Sequence, residues 1–234
     1  MSRIKLQQRL NPFYKIALNY LDINCTGVEN INTEKNYIFA MNHQSIGDVV
    51  PAFAILVPAT GRKLILFISH RFYKAMLAIT LPFGAISVNM NKNDKEAKMY
   101  NKLQLLKGVH KLKKGHNVFI CPEGIIRGGE KGVVIRGESG IIRLALLSKT
   151  PIIPIGIRGT NKAYPFLLET KNPFKIRKEV PIHMNIGKEI DLSEHHDMDL
   201  KTFSEENRNT IRKLTDELML ELSNLSGLPY DETA

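Results

Sequence analysis

The sequence has no tryptophan, only two cysteines and no apolar stretch long enough to cross a membrane. A membrane-spanning helix needs roughly 18 to 20 consecutive apolar residues, whereas the nearest run, residues 49–59, contains two prolines. The basic N-terminus also lacks the uninterrupted apolar segment of a secretory signal. Cys25 and Cys121 do not have metal-ligand spacing, and one pair of cysteines is weak evidence for a disulfide. We therefore expect a reduced cytoplasmic protein.

Motifs of several enzyme classes are missing as well. There is no Walker A sequence, no His-Glu-x-x-His and no Cys-x-x-Cys, so nucleotide hydrolysis and structural zinc are not supported. The stretch Gly137-Glu138-Ser139-Gly140 lacks the spacing of a serine hydrolase elbow. Ser139 is better interpreted as a helix cap. We predict neither a metal site nor a bound cofactor.

Acidic charge is scarce except near the C-terminus. Residues 189–234 hold 4 Lys or Arg against 12 Asp or Glu, whereas the other 188 residues hold 29 against 11. The basic part is expected to attract nucleic acid, anionic lipid surfaces or phosphorylated substrates, although solvated lysines on helix faces explain part of the excess. Nucleic acid is the weaker alternative, because aromatic residues make up only 7% and Lys92–Lys114 shows no regular interleaving of aromatic residues for base stacking.

The remaining composition and pattern predict an α/β fold, with a mixed central sheet flanked by helices. Apolar runs rich in β-branched residues alternate with helical patterns, which is typical of this class. The predicted strands are 37–41, 64–68, 85–88, 118–121, 152–157 and 180–186, and the predicted helices are 47–56, 71–80, 95–114, 139–148 and 205–226.

Residues 1–24 form a segment of their own in this interpretation, ahead of an α/β domain over 25–234 that ends in an acidic helix. Four basic residues and no acidic one lie between Ser2 and Leu21, among apolar residues at mostly helical spacing that Pro12 interrupts. Such a segment suits a membrane interface. It is equally consistent with a helix whose apolar face packs on the domain.

The most informative motif is His43 followed by Asp48, directly after the apolar run 37–41. An imidazole and a carboxylate at a strand-to-helix junction are the parts of a general base and the acid that orients it. The spacing alone is weak, because chance would supply about 0.24 such pairs in this composition. The alternative is a turn histidine and a carboxylate that favours the helix dipole.

A second polar turn, Cys121-Pro122-Glu123-Gly124, follows the apolar run 118–120. Arg127 comes just after it, and guanidinium groups bind phosphate through paired hydrogen bonds. Ligand sites of open α/β sheets lie beyond the carboxyl ends of the strands, so we expect His43 and Glu123 to share one edge. A solvated glycine-rich loop is the alternative. Further on, Pro154 interrupts a buried run, which indicates an edge strand or a local distortion.

The order of these pieces resembles the glycerolipid acyltransferase family, whose best-known members are the 1-acylglycerol-3-phosphate acyltransferases. The resemblance consists of His-x4-Asp, then Pro-Glu-Gly about 80 residues later, then the proline-bounded strand 151–159. Arg136-Gly137-Glu138-Ser139-Gly140 leading into 141–146 belongs to it as well. It covers about Ile38 to Gly159.

The resemblance implies a catalytic arrangement. His43 would take the proton of an acceptor hydroxyl, and Asp48 would hold the imidazole in the right tautomer, as in a Ser-His-Asp arrangement without the serine. The hydroxyl would then attack an acyl thioester directly, with acyl-CoA or acyl-acyl carrier protein as co-substrate.

The resemblance also implies the binding residues and the location. Glu123, Gly124 and Arg127 would bind the glycerol phosphate of a lysophospholipid acceptor. Gln44 and Ser45 would shape the turn or hydrogen-bond the substrate. The protein would work on the inner face of an anionic membrane as a peripheral enzyme, with no nucleic-acid partner.

This chain departs from the family pattern around the phosphate. Cys121 stands where Phe usually precedes Pro-Glu-Gly, and Ile126 occupies the position of an Arg that here comes one residue later, as Arg127. Met90 lies where an intermediate motif usually has Arg, and nearby Lys92 is the electrostatic substitute. These departures weaken the assignment of glycerol phosphate as the acceptor more than the assignment of acyl transfer. An inactive lipid-binding relative is therefore an alternative.

Overall fold

The computed structural model describes residues 22–75, 84–91, 94–126, 131–163, 177–200 and 204–233. The helices within these ranges are α1 (Val49–Thr60), α2 (His70–Ala75), α3 (Lys95–Lys113), α4 (Gly140–Ser148), α5 (Thr160–Ala163) and α6 (Glu205–Ser226). The strands are β1 (Ile23–Thr26), β2 (Ile38–Met41), β3 (Leu64–Ser69), β4 (Ile86–Val88), β5 (Asn117–Ile120), β6 (Val134–Ile135), β7 (Ile152–Arg158), β8 (Ile182–Ile186) and β9 (Tyr230–Asp231). Short 3₁₀ helices cover Val28–Asn30, Ile46–Asp48 and Ser193–His195.

Seven of these strands form a central sheet in the order β1-β8-β7-β2-β5-β3-β4. Neighbouring strands run parallel except β7 and β8, which are antiparallel. The predicted α/β fold with a mixed central sheet is therefore confirmed. β6 and β9 form a separate parallel pair.

Strand β2 lies in the middle of the sheet and is buried on both faces. Phe39 and Met41 belong to a core cluster shared with α1, whereas Ile38 and Ala40 belong to a cluster shared with α4 and α6. Strands covered by helices on both faces are continuously apolar rather than alternating. That is why 37–41 is an uninterrupted apolar run, and why the polar residues that follow it lie at the edge of two cores.

The expectation that Pro154 marks an edge strand is wrong, because β7 lies between β2 and β8. The β7–β8 ladder begins at Ile155, and an isolated bridge joins Ile152 to Ile190. Pro154 lies in the interval between them, where its carbonyl accepts from Gly187 N at 2.8 Å and no N–H is needed. The alternative of a local interruption agrees with the structure.

Other differences concern element ends and very short strands. α1 begins at Val49 rather than at 47, because Ile46–Asp48 forms a 3₁₀ turn, and it continues past Pro58 to Thr60. β1, β6 and β9 were not predicted. The N-terminal segment up to residue 21 and residues 76–80 of the second predicted helix lie outside the described residues. No helix in the described ranges has the length and apolarity that a bilayer crossing requires.

Candidate active site

The two predicted polar turns meet at the carboxyl ends of β2 and β5. These strands are adjacent and parallel, with Ala40 opposite Ile120, so the residues that follow them emerge side by side. His43 N donates a hydrogen bond to Glu123 Oε1 at 2.8 Å. The expected shared edge is therefore what the structure shows.

His43 and Asp48 form a direct pair, with His43 Nδ1 2.8 Å from Asp48 Oδ2. Asp48 is completely buried, while the His43 side chain is 20% exposed. The same carboxylate oxygen accepts from Gln44 N at 2.7 Å and from Ser45 N at 2.9 Å. Because a carboxylate only accepts, Nδ1 carries the proton and Nε2 is left as a proton acceptor.

Ser45 shapes the turn that carries this pair. Its Oγ accepts from Gly47 N at 3.0 Å, and Asp48 in return accepts from the Ser45 backbone, which makes a reciprocal capping box. The turn can place a carboxylate under the imidazole because Asp48 is the third residue of the capped helix start. Ser45 therefore contributes to the geometry of this turn, and a hydrogen bond from it to the substrate stays a prediction.

Two further residues hold the pair, and sequence reasoning missed both. Thr160 Oγ1, at the start of α5, donates to Asp48 Oδ1 at 2.5 Å. Asn42 Nδ2 donates to Ile157 O at 2.9 Å, and Ile157 N donates to Asn42 Oδ1 at 2.6 Å, so the Asn42 side chain joins the end of β2 to β7. Nothing local in the sequence marks Thr160, since its partner lies more than 100 positions away.

Gln44 contributes an unused donor beside this pair. Its side chain is 2% exposed, and its Nε2 is one of two buried side-chain nitrogens in the described residues with no hydrogen-bond partner. A buried donor without a partner costs about 1–3 kcal/mol. A group that enters the site and accepts this hydrogen bond would recover that energy.

Glu123 connects the two polar turns through hydrogen bonds of its side chain. It is 4% exposed, and besides His43 N it accepts from Ile135 N at 3.4 Å. Burial raises the pKa of Glu123 to about 7, although both backbone donors lower it. Its two oxygens therefore hold the His43 turn and the β6 strand in place, whatever it also does for a substrate.

Gly124 has a backbone that a side chain would disturb. Its φ of 71° is in the left-handed region, and a Cβ added there would lie 2.4 Å from Met90 Cε. Met90, which replaces the family's arginine, is thus adjacent to the Glu123 turn. The two cations predicted to bind phosphate, Lys92 and Arg127, lie outside the described residues.

The imidazole sits in a strongly polarising environment. Burial lowers the pKa of His43, but the Cys121 sulfur and the Asp48 carboxylate outweigh it and raise the pKa well above its ordinary value. Burial raises the pKa of the Cys121 thiol, although the charge and hydrogen bond of His43 lower it. His43 is therefore a stronger base at Nε2 than an ordinary imidazole, because its surroundings stabilise the imidazolium that forms. The described residues contain no group of three His, Cys, Asp or Glu side chains placed to hold a metal ion.

Comparison with known proteins agrees with this arrangement. The family model described as Acyltransferase matches residues 22–158, so the chain belongs to the acyltransferase family. Among solved structures, it is similar to the 1-acyl-sn-glycerophosphate (LPA) acyltransferase PlsC from Thermotoga maritima. The TM-score is 0.59 at 19% sequence identity, over 94% of this chain and 81% of that chain, which shows a common fold. No curated protein sequence matches this chain significantly.

Proposed function

We propose that this protein is an O-acyltransferase that moves a fatty acyl group from an acyl thioester to a hydroxyl of a glycerophospholipid precursor such as lysophosphatidate. The observation that carries the proposal is the 2.8 Å contact between His43 Nδ1 and Asp48 Oδ2 at the carboxyl edge of the sheet. It leaves Nε2 available as a base. Membership of the acyltransferase family supports the reaction class, and the acceptor class rests on analogy with the Thermotoga enzyme.

The reaction follows from these atoms. Nε2 of His43 takes the proton of the acceptor hydroxyl while the hydroxyl oxygen attacks the thioester carbon. Asp48 stabilises the imidazolium that forms. The tetrahedral intermediate then breaks its C–S bond, and the leaving thiolate takes the proton back from His43. Because the hydroxyl attacks the thioester directly, the acyl group is not attached to the protein at any step.

Other side chains have supporting roles in this proposal. Gln44 Nε2 donates its free hydrogen bond to the substrate, and Glu123 with Gly124 shapes the floor of the acceptor site. Arg127 and Lys92 supply positive charge for the acceptor phosphate, because cationic donors bind phosphate oxygens strongly. The acyl carrier is coenzyme A or acyl carrier protein. The enzyme works at the inner face of an anionic membrane, with no cofactor.

Mass spectrometry of a mixed reaction tests the function. The protein is incubated with a pool of lysophospholipids and acyl thioesters, and new diacyl lipids are measured for wild type, His43→Ala and His196→Ala. We expect product with wild type and with His196→Ala, a partly exposed histidine far from the site in sequence. With His43→Ala we expect none, because the base is gone. Full activity of His43→Ala would refute the mechanism, and no product from the wild-type protein would favour an inactive lipid-binding relative.

A further inference from the structure

Helix α3 has an apolar stripe on its solvent side. Met99 is 63% exposed, Leu103 53% and Leu106 49%. Single exposed apolar residues are ordinary on protein surfaces, but these three follow each other at i, i+4 and i+7. With about 100° per residue they lie within an arc of about 60°, at the centre of the exposed side. The helix therefore has an apolar patch over about two turns on the side opposite the one that packs on the protein, and the exposed His110 follows it in the same arc.

The inner face of α3 is packed against the protein. Val109 and Leu112 are buried in the core cluster that includes α4 and β4, and Gly108 lies against Phe67, where a Cβ would come within 2.7 Å of the ring. The outer stripe has no role in this packing. In an ordinary surface helix the position opposite the core is polar, so the stripe needs another explanation.

Lysines border the stripe on both sides. Lys98 and Lys102 lie on one side, Lys107 and Lys114 lie on the other, and all four are exposed. Glu96 is the one acidic residue within α3. Basic residues are not typical of every helix in this protein: α6 begins with two glutamates and has acidic residues along its length. An apolar centre between two rows of lysine is the pattern of a helix lying in a membrane interface.

Helix α3 is joined to the candidate site through its inner side, opposite the stripe. Asn101 of α3 holds the preceding loop: Asn89 N donates to Asn101 Oδ1 at 2.8 Å, and Asn101 Nδ2 donates to Asn89 O at 2.7 Å. Met90 in that loop lies against Gly124 of the Glu123 turn. The first turns of α3 are thus joined to the wall of the site by short, direct contacts.

We propose that α3 is a membrane-docking surface, with Met99, Leu103 and Leu106 inserted among the lipid headgroups of an anionic bilayer and the flanking lysines bound to lipid phosphates. Apolar insertion and electrostatic attraction add in such helices. The inference rests on the proposed function and deepens it, since α3 is the surface by which the enzyme meets its membrane-embedded acceptor.

Vesicle binding tests this surface without requiring catalysis. The full chain is sedimented with vesicles of phosphatidylglycerol and phosphatidylcholine, and with phosphatidylcholine alone. In the combined variant Met99→Gln, Leu103→Gln, Leu106→Gln, the partition coefficient into anionic vesicles is expected to fall about ten-fold or more. Leu220→Gln is the matched control, because Leu220 is also 49% exposed but lies on α6. It is expected to bind as wild type does.

A charge variant tests the second half of the proposal. Lys98→Gln with Lys102→Gln is expected to weaken anionic binding and flatten its salt dependence, while Lys213→Gln on α6 leaves both unchanged. Equal vesicle binding by wild type and the combined apolar variant would overturn the proposal. The combined apolar variant can also be tested for binding to an acidic acyl carrier protein. If it loses that binding but binds vesicles as wild type does, the proposal is overturned and the stripe is assigned to a protein partner.

Activity on a soluble acceptor separates this inference from the proposed function. With a short-chain lysophospholipid below its micellar concentration, the combined apolar variant is expected to retain wild-type kcat/KM, whereas its rate on vesicle-embedded acceptor falls. If the wild-type protein itself is inactive on every acceptor, the proposed function fails, but the vesicle-binding comparison still decides whether α3 docks on lipid.

Discussion

At the scale of single residues, Asp48 concentrates the polar contacts of the site. Its buried carboxylate accepts from His43 Nδ1, from two backbone N–H groups and from Thr160 Oγ1. Buried carboxylates are tolerated when their charge is paired and hydrogen-bonded. The orientation of His43 therefore depends on a network drawn from two parts of the chain, the 43–48 turn and the start of α5.

The pH dependence of acyl transfer should report this pairing. A general base works only when neutral, so kcat/KM is expected to rise with pH through the pKa of His43, which lies well above its ordinary value. Asp48→Asn removes a carboxylate that raises this pKa, so the rising limb should move to lower pH while the maximal rate falls by about 10³-fold or more. The measurement is kcat/KM against pH for both proteins. Asp191→Asn, an exposed aspartate, is the control, and an unshifted limb in Asp48→Asn would mean that another group titrates.

Thr160 is expected to act as a positioning residue. Thr160→Val keeps the volume but leaves one oxygen of Asp48 without its side-chain donor, so we expect kcat to fall about ten-fold, equivalent to roughly 1.4 kcal/mol, with little change in KM. Thr160→Ser should restore most of the rate, because it returns the hydroxyl. Thr215→Val is the matched control: Thr215 is equally buried but bonds only the Ile211 carbonyl within α6. A similar loss of kcat in both valine variants would indicate a general effect on folding.

The sequence predicted part of this network. The pair His43 and Asp48 was visible because both residues lie within one turn, and Glu123 was visible because it follows the neighbouring strand. Thr160 and Asn42 were invisible, since each acts through a partner more than 100 positions away. Contacts of that kind depend on how strands are ordered in the sheet, which local pattern does not specify.

At the scale of elements, most apolar runs were predicted, including the three-residue β4, whereas β1, β6 and β9 were not. β2, β5 and β7 are mostly buried apolar runs, and β3 is an apolar run that is buried at its start. Their length and their β-branched and aromatic residues indicate strands. β6 and β9 are two residues each, too short for any periodicity, and they exist because the end of the chain returns beside the segment after Glu123. Pro154 is compatible with an internal strand because its missing N–H falls between the β7–β8 ladder and the Ile152–Ile190 bridge.

The packing of α6 on β7 supplies an element-scale prediction. A Cβ on Gly156 would lie 2.1 Å from Ser226 N and 2.2 Å from the Leu225 carbonyl carbon, which are backbone atoms at the end of α6. Gly156→Ala must therefore displace the helix, and we expect the free energy of unfolding to fall by about 3 kcal/mol. Urea denaturation followed by circular dichroism measures it. Gly140→Ala, where a Cβ meets no atom within 4 Å, should be neutral or slightly stabilising, and equal stability of both variants would contradict this account of the packing.

At the scale of the whole molecule, charge is divided along the chain. Residues 189–234 carry 12 acidic against 4 basic residues, and the rest carries 29 basic against 11 acidic. The division is one of sequence rather than of faces, because α3 and α6 both pack on the core cluster that contains Ile38 and Ala40. Charges on both helices therefore contribute to the field on that side of the protein. The sequence predicts the charge division, whereas the apolar stripe of α3 became apparent only when the structure separated its exposed side from its buried side.

The same charge division leads to a prediction for the N-terminal segment. Deleting Ser2–Tyr20 removes Arg3, Lys5, Arg9 and Lys15 together with an apolar set, and basic residues near an anionic surface contribute about 1 kcal/mol each. We expect binding to phosphatidylglycerol-containing vesicles to weaken about ten-fold or more and to become less sensitive to salt, as measured by sedimentation across a salt series. A variant that keeps the segment but has these four residues changed to Gln separates the contribution of charge from that of apolar burial, because its apolar residues are unchanged. Unchanged binding after the deletion would refute membrane attachment through this segment and would leave it to other surfaces.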